Sequence, residues 1–410
     1  MRLTLLSLPL GLALAACGDD ASDTGCDVRL TPGANDAQAI QAAFIDARSG
    51  DTICLAPGTY TLDRELSLSN AADITLRGDG ATRDEVVLDF ATQTVGDDGV
   101  VVTAPGFTIE NLWVKNAPGN GVVAHAEDST FRNIKVSWDA GSVTENGFYA
   151  VYPTDCKRTI IEDTEITGAS DAGIYVGSCE YAIVRRNKVY GNVAGIEIEN
   201  SRYADVYDNE VYDNTAGILV FVLPKLAIKE TRHVLVRDNV IRANNHANFA
   251  TDGTVVSYVP FGLGALVLAG SDIEFRNNTF EDNQGTAILA VSYRTFELLT
   301  DTTLDDPEMD AYLRRLYIHS NTYDNNGYQP LGALALMGQA SLENVLWDGV
   351  LEGEVSKADT KICLGASPTT FRNFAVADGF SPDKQSTDTA DHTCTLEPVA
   401  EMEDFDGVSP

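Results

Sequence analysis

An all-β solenoid, a parallel β-helix in which short strands coil into stacked turns, is the fold class this sequence predicts, on three observations. A phrase of Asn, any residue, an apolar or aromatic residue, two more residues and Asn opens at Asn187, Asn209, Asn239, Asn278 and Asn321. A second phrase, Gly followed by alternating apolar residues, opens at Gly121, Gly147, Gly173, Gly195 and Gly217, at spacings of 26, 26, 22 and 22 residues. Within each unit the apolar residues alternate in short bursts, as at Ile196 and Ile198, which is the period of strands. A fixed period of this size means one supersecondary unit stacked on itself. Asn and Gly at the corners allow left-handed backbone, and stacked Asn side chains can hydrogen-bond along the axis. A leucine-rich solenoid is the competing architecture, but the Leu-x-x-Leu-x-Leu frame is missing.

Residues 1–16 hold one basic residue, Arg2, and a short apolar run that reads as a signal peptide. Leu14-Ala15-Ala16-Cys17 resembles a bacterial lipobox, which makes Cys17 the acylated first residue of a lipid-anchored chain. An ordinary signal peptide with a coincidental Cys is the alternative. Gly18 after the Cys points to the outer membrane of the bacterial envelope, and residues 17–27 form a polar tether. Six of the seven cysteines remain, an even number that suggests disulfides in an exported chain. Proximity pairs Cys26 with Cys54, Cys156 with Cys179, and Cys363 with Cys394; metal binding is the alternative, though no CxxC occurs.

The chain carries 28 basic and 61 acidic residues, a net charge of −33. That field repels nucleic acid and anionic membrane surfaces, so the expected membrane contact is the lipid anchor alone. It also opposes an unassisted grip on uronate polysaccharides, unless a basic patch or a divalent cation intervenes. Acidity as a simple aid to solubility is the bland alternative.

From Asn35 to Ser49 the apolar residues Ala39, Ile40, Ala43, Phe44 and Ala47 fall at helical spacing. A helix there would cover the open apolar end of a solenoid. The order of that helix, GDTICLAPGTY (Gly50–Tyr60) and ITLRGDG (Ile74–Gly80) resembles the opening of pectin-lyase-like right-handed β-helices, whose members include polysaccharide lyases, epimerases and nitrous-oxide accessory proteins. Further on, GIYVGSCEYAIVRRNKV, GIEIENSRYADVYDNEVYDNTAGILVFVLPKL and NNHANFATDGTVVSYVPFGLGALVLA closely resemble the bacterial parallel β-helix repeat-containing two-copy domain proteins, over roughly residues 33–344. That resemblance implies an exported chain encoded beside a cytochrome-like exported family, and it implies no reaction. The expected layout is one right-handed parallel β-helix over 28–395 with an acidic C-terminal tail over 396–410.

The repeat also locates a site. Successive Asn phrases lie 22, 30, 39 and 43 residues apart, so the last three intervals carry insertions. These are FVLPKLAIKETRH after the Gly217 strand, NHANFATDGTVVSYVPFG before the Gly264 strand, and SYRTFELLTDTTLDDPEMDAY after Val291. All three leave or enter the same strand of the coil, and loops gathered on one face of a solenoid form a groove.

Aligning the Gly strands gives two outward columns: Val123, Tyr149, Tyr175, Glu197, Leu219, Leu266, and His125, Val151, Gly177, Glu199, Phe221, Leu268. Tyr149 and Tyr175 beside Glu197 and Glu199 suit a sugar platform, with ring faces on pyranoses and carboxylates on hydroxyls. Glu197 and Glu199, about 6 to 7 Å apart on one strand, suit a glycosidase pair or a Ca²⁺ site, or are two solvated glutamates. The apolar ends of the columns are covered by the long loops or by a partner. Asp301, Asp305, Asp306, Glu308 and Asp310 read first as a solvated acidic loop.

Lys225, Lys229, Arg232 and His233 form the expected positive cluster over the groove, where a lyase or epimerase needs a cation and a base. His233, His246 and Tyr258 are candidate bases; His233 beside an apolar strand also reads as a packed corner residue. The Asp-Pro-His-Asp phrase of alginate epimerases and the signatures of pectate lyases and polygalacturonases are absent. Two functions follow. In the first the chain binds carbohydrate in an open groove, with processing by a lyase- or epimerase-like reaction left open. In the second it is a non-enzymatic scaffold for an exported cytochrome-like redox protein, docked on Leu219, Phe221, Leu266 and Leu268.

Overall fold

Three long parallel sheets wrap around one apolar core. The computed structural model describes residues 25–300, 302–352 and 361–405; the signal peptide, Cys17 and Asp301 lie outside the described residues. Twelve strands from Val28–Leu30 to Ile362–Cys363 form the first sheet, ten from Gly58–Thr61 to Thr322–Asp324 the second, and eleven from Arg64–Leu68 to Phe371–Asn373 the third. Each coil visits the sheets in that order, as in Glu180–Arg185, Lys188–Tyr190 and Ala194–Glu199. Residues pair with the equivalent residue of the next coil, Ile196 with Ile218 for instance, so inward positions stack into columns of Ile, Val and Leu. Helix α1, Asp36–Asp46, closes the N-terminal end with Ile40 and Phe44 fully buried. It is shorter than the expected 35–49, because Ala47 is already extended.

Both Asn of the repeated phrase form hydrogen-bonded ladders along the axis. At the corner between the first and second sheets, Asn187 donates to Asn209 (3.0 Å), Asn209 to Asn239 (2.9 Å), Asn239 to Asn278 (2.9 Å) and Asn278 to Asn321 (3.0 Å). At the next corner, Asn192, Asn214, Asn244, Asn283 and Asn326 repeat the pattern at 2.9 to 3.2 Å. The left-handed backbone expected of these Asn falls one residue earlier, at Arg186, Asp208, Asp238, Asn277 and Ser320. The ladder Asn then turns its amide inward, where water cannot compete for its hydrogen bonds.

The three disulfides pair as proximity predicts: Cys26–Cys54, Cys156–Cys179 and Cys363–Cys394, with Cα separations of 5.8, 4.5 and 5.0 Å. The three inserted loops do leave or enter the third sheet. The last of them is not simply an acidic loop, since it begins with helix α2, Tyr293–Thr300. Its aspartates are tied down: Asp305 by Lys225, Asp306 by Lys229 and Asp310 by Arg314.

Residues 397–403 cross the outer face of the first sheet. Val399 N–H donates to Glu274 (2.6 Å), Met402 N–H donates to Asp205 (2.8 Å), and Glu401 pairs with Arg276. Asn239 sits mid-ladder, accepting from Asn209 and donating to Val206 O and Asn278. Asn239→Ala should therefore lower unfolding free energy by about 3 kcal/mol, since each buried polar group left unpaired costs roughly 1–3 kcal/mol. A denaturant midpoint unchanged from the parent would show that the ladder contributes nothing.

Candidate functional site: a buried carboxyl and tyrosine cluster

Register on the third sheet decides which side chains meet. Tyr175, Glu197, Leu219 and Leu266 form one outward column and Gly177, Glu199, Phe221 and Leu268 the next, as expected. The coil before them is different: Val151 pairs with Ile174 and Val122 with Val151. Tyr152, not Tyr149, therefore stands in the column with Tyr175, and Val151 faces inward.

Glycine was the wrong marker for that coil. A Cβ at Gly195 would lie 2.6 Å from Gly217 O, and one at Gly217 2.4 Å from Gly264 O, which excludes side chains there. At the equivalent position of the slipped coil Ala150 is accommodated, and Gly147 lies three residues ahead of it.

The second surprise is burial. Tyr175, Glu197 and Glu199 are 6, 2 and 4 % exposed, and only Tyr149 is half-buried, so the open cleft expected around them is closed. Asp171, 9 % exposed, completes a trio of carboxyl groups that sequence reading missed. It stands just ahead of the Ala172–Gly177 strand, outside the alternation that identified the other two.

Three tyrosine rings pack on the trio: Tyr149 to Tyr175 at 4.5 Å, Tyr149 to Tyr152 at 4.7 Å and Tyr152 to Tyr175 at 5.0 Å between centroids. Tyr149 lies beside Asp171 and Tyr175 beside Glu199, each phenol favouring the ionised form of its carboxyl. Glu197 Oε1 has no partner; among the described residues four buried side-chain polar atoms lack one, and this is the one carboxyl oxygen. At the rim, Phe148 is 44 % exposed and His125 meets the edge of Tyr152 at 6.3 Å.

Burial governs the protonation of this cluster. Desolvation pushes Asp171 up to about 7, against the lowering hydrogen bond from Tyr149. Desolvation likewise takes Glu199 up to about 8, with the Tyr175 hydrogen bond opposing and Asp171 adding to the rise. Glu197 is raised well above the carboxylate range by burial, then by Asp171 and Glu199. Tyr149, Tyr152 and Tyr175 are raised too, chiefly by desolvation, and remain donors. The cluster thus offers protonated carboxyls and phenols at neutral pH, the equipment of a general acid.

The expected positive cluster is dispersed. Lys225 pairs with Asp305 (3.1 Å) at the loop tips. Arg232 and His233 belong to the first sheet: Arg232 pairs with Asp272, and His233, left-handed at φ 56°, stacks on Tyr203 at 5.0 Å. They line a cavity of about 640 Å³ with Tyr181, Arg315 and the strap of residues 397–402. His246 faces Asp213 (3.7 Å) at another corner. Tyr258 lines a separate apolar cavity of about 260 Å³ with Phe221, Leu266 and Leu268 beneath the loops. The apolar stripe is accordingly covered by the chain's own loops, and the flat docking patch for a scaffold is not there. Nor do Glu197 and Glu199 build the anticipated Ca²⁺ site: among the described residues no three His, Cys, Asp or Glu converge to hold a metal ion.

Comparison with known proteins agrees with the architecture. Residues 120–303 match the family model described as the right handed beta helix region, and the chain is a right-handed parallel β-helix. Among solved structures, a mannuronan C-5 epimerase A-module of Azotobacter vinelandii is similar at 16% identity, with 82% of this chain and 90% of that one covered and a TM-score of 0.50. DFA-IIIase of Arthrobacter chlorophenolicus A6 is similar at 11% identity, with 78% and 92% covered and a TM-score of 0.51. Identities this low establish the shared fold. No curated protein matches the sequence.

A carboxyl that holds its proton more tightly when folded stabilises the fold below its unfolded value, near 4, and loses that contribution as pH rises through the folded value. For Asp171 and Glu199 the loss runs from about pH 4 up to about 7 and 8. Glu199→Gln should therefore melt close to the parent at pH 5 and a few degrees above it at pH 9. Melting curves that differ equally at both pH values would show that Glu199 is not held protonated.

Proposed function

We propose that the chain is an exported, lipid-anchored protein of the bacterial envelope that binds carbohydrate, and processes it by acid catalysis, at the Asp171, Glu197 and Glu199 cluster. The observation that carries this reading is the set of protonated carboxyls packed under tyrosines at an aromatic rim. Aromatic rims stack on sugar rings and carboxyls bond their hydroxyls, while a buried acid poised near neutrality is the group that protonates a glycosidic oxygen. The fold supports it from outside at a coarse level: a carbohydrate-acting epimerase module shares the β-helix architecture. Three disulfides support export to an oxidising compartment, and the lipobox at Leu14–Cys17 supports the anchor at Cys17 and the outer-membrane address.

Binding to a glycan array gives the first test. Phe148→Ala removes an exposed ring without disturbing the buried groups, and should weaken retention of any bound glycan about tenfold, the upper end of the roughly 0.5–1.5 kcal/mol that a stacked ring contributes. On whichever glycan is cleaved or epimerised, Glu199→Gln should cut turnover by about 10²–10⁴ with binding nearly intact, the range general acids contribute. Equal loss of binding and turnover would place Glu199 in ground-state binding instead.

A further inference from the structure

The titratable neighbours that act most strongly on the three phenols are carboxyls and other phenols. The groups acting on Tyr149 and Tyr175 are Asp171, Glu197, Glu199 and the neighbouring phenols, and those acting on Tyr152 add Asp98 and Asp155. No lysine or arginine is among them. The nearest imidazole, His125, is exposed and edge-on to Tyr152. Each cation that might have served a uronate is spent elsewhere, Lys225 on Asp305, Lys229 on Asp306 and Arg232 on Asp272.

A carboxylated sugar brought here would have its own charge desolvated with no cationic partner, and burial without a countercharge disfavours the ionised form strongly. A hydroxyl-bearing ligand meets the opposite situation. Buried Asp348 accepts from Ser292 N–H and Thr295 hydroxyl (each 2.6 Å), and Asp205 and Glu274 accept from the strap. Glu197 is as buried as these, yet its Oε1 is unpaired. A buried acceptor left unpaired is costly, and a ligand hydroxyl is the group that removes the cost.

We propose that this site takes an uncharged glycan, one hydroxyl of which donates to Glu197 Oε1, and that it rejects uronates. The inference rests on the carbohydrate reading above and adds the substrate class to it. Charge selection here comes from what the site lacks, a countercharge, and from the one oxygen it leaves open.

Isothermal titration of the purified chain with neutral xylo-, manno- and fructo-oligosaccharides, against oligogalacturonate and oligomannuronate, tests it, with and without Ca²⁺. The expected result is binding to a neutral oligosaccharide and none to the uronates at pH 7. Glu197→Leu should weaken that binding at least about tenfold, the value of one hydrogen bond to a buried acceptor. Glu197→Gln, which keeps an acceptor oxygen in the same place, should stay within about threefold; a loss equal to that of Glu197→Leu would overturn the assigned contact. Uronates bound in place of neutral sugars, and lost in Glu197→Leu, would overturn the neutral class while leaving the carbohydrate reading intact. Neutral binding unchanged in Glu197→Leu would likewise overturn the inference alone. No glycan of either kind bound would overturn both.

Discussion

Everything in this molecule depends on coil-to-coil register. Parallel pairing sets each residue beside its equivalent one coil away, so any choice of side chain is repeated as a column, and a column must be self-compatible along its length. Inside, the compatible choice is Ile, Val and Leu stacked on themselves. At two corners it is Asn, whose amide both donates and accepts and can therefore bond to an identical neighbour on each side. The ladders fix the corner, the corner fixes strand phase, and strand phase decides which residues face outward.

Outside, the third sheet shows what happens when a column changes character midway. Tyr152, Tyr175, Glu197, Leu219 and Leu266 run from aromatic through acidic to aliphatic. An outward aliphatic column needs cover, and the three inserted loops supply it with Val222, Val256, Val259 and Phe296. Over the glutamates the cover is different, the packed rings of Tyr149, Tyr152 and Tyr175 from the preceding coils. The glutamates' raised proton affinity is thus a consequence of how the neighbouring coils shield them, and it requires no dedicated cationic or metal partner.

The solenoid, its cap, the disulfides and the face bearing the loops were legible because each is written as spacing. Cys156 and Cys179, about one period apart, illustrate this: a repeat converts sequence distance into stacking. The site was legible in part. Glu197, Glu199 and Tyr175 fall in the regular coils and were placed correctly, whereas Tyr152 was missed because Ala150 stands where the pattern wants Gly. Asp171 lies just outside the alternating run and carried no periodic signal. Lys225, Arg232, His233 and His246 were grouped because they are close in sequence. A coil returns to a different sheet within a few residues, so nearness along the chain separates side chains onto different faces.

Burial was illegible for a related reason. Alternation tells inward from outward, but outward means solvent only on a bare sheet, and this one carries packed tyrosine rings at one end and inserted loops at the other. Once they are in place, outward Glu197 is as dry as inward Ile196. Its companions each have a phenol beside them, Tyr149 at Asp171 and Tyr175 at Glu199, whereas Glu197 Oε1 has no partner. A closed structural core would have no reason to keep an acid in that condition, since Leu continues the same column in the next coil without strain. A glutamate dry and incompletely satisfied between a tyrosine and a leucine calls for a donor from outside the chain.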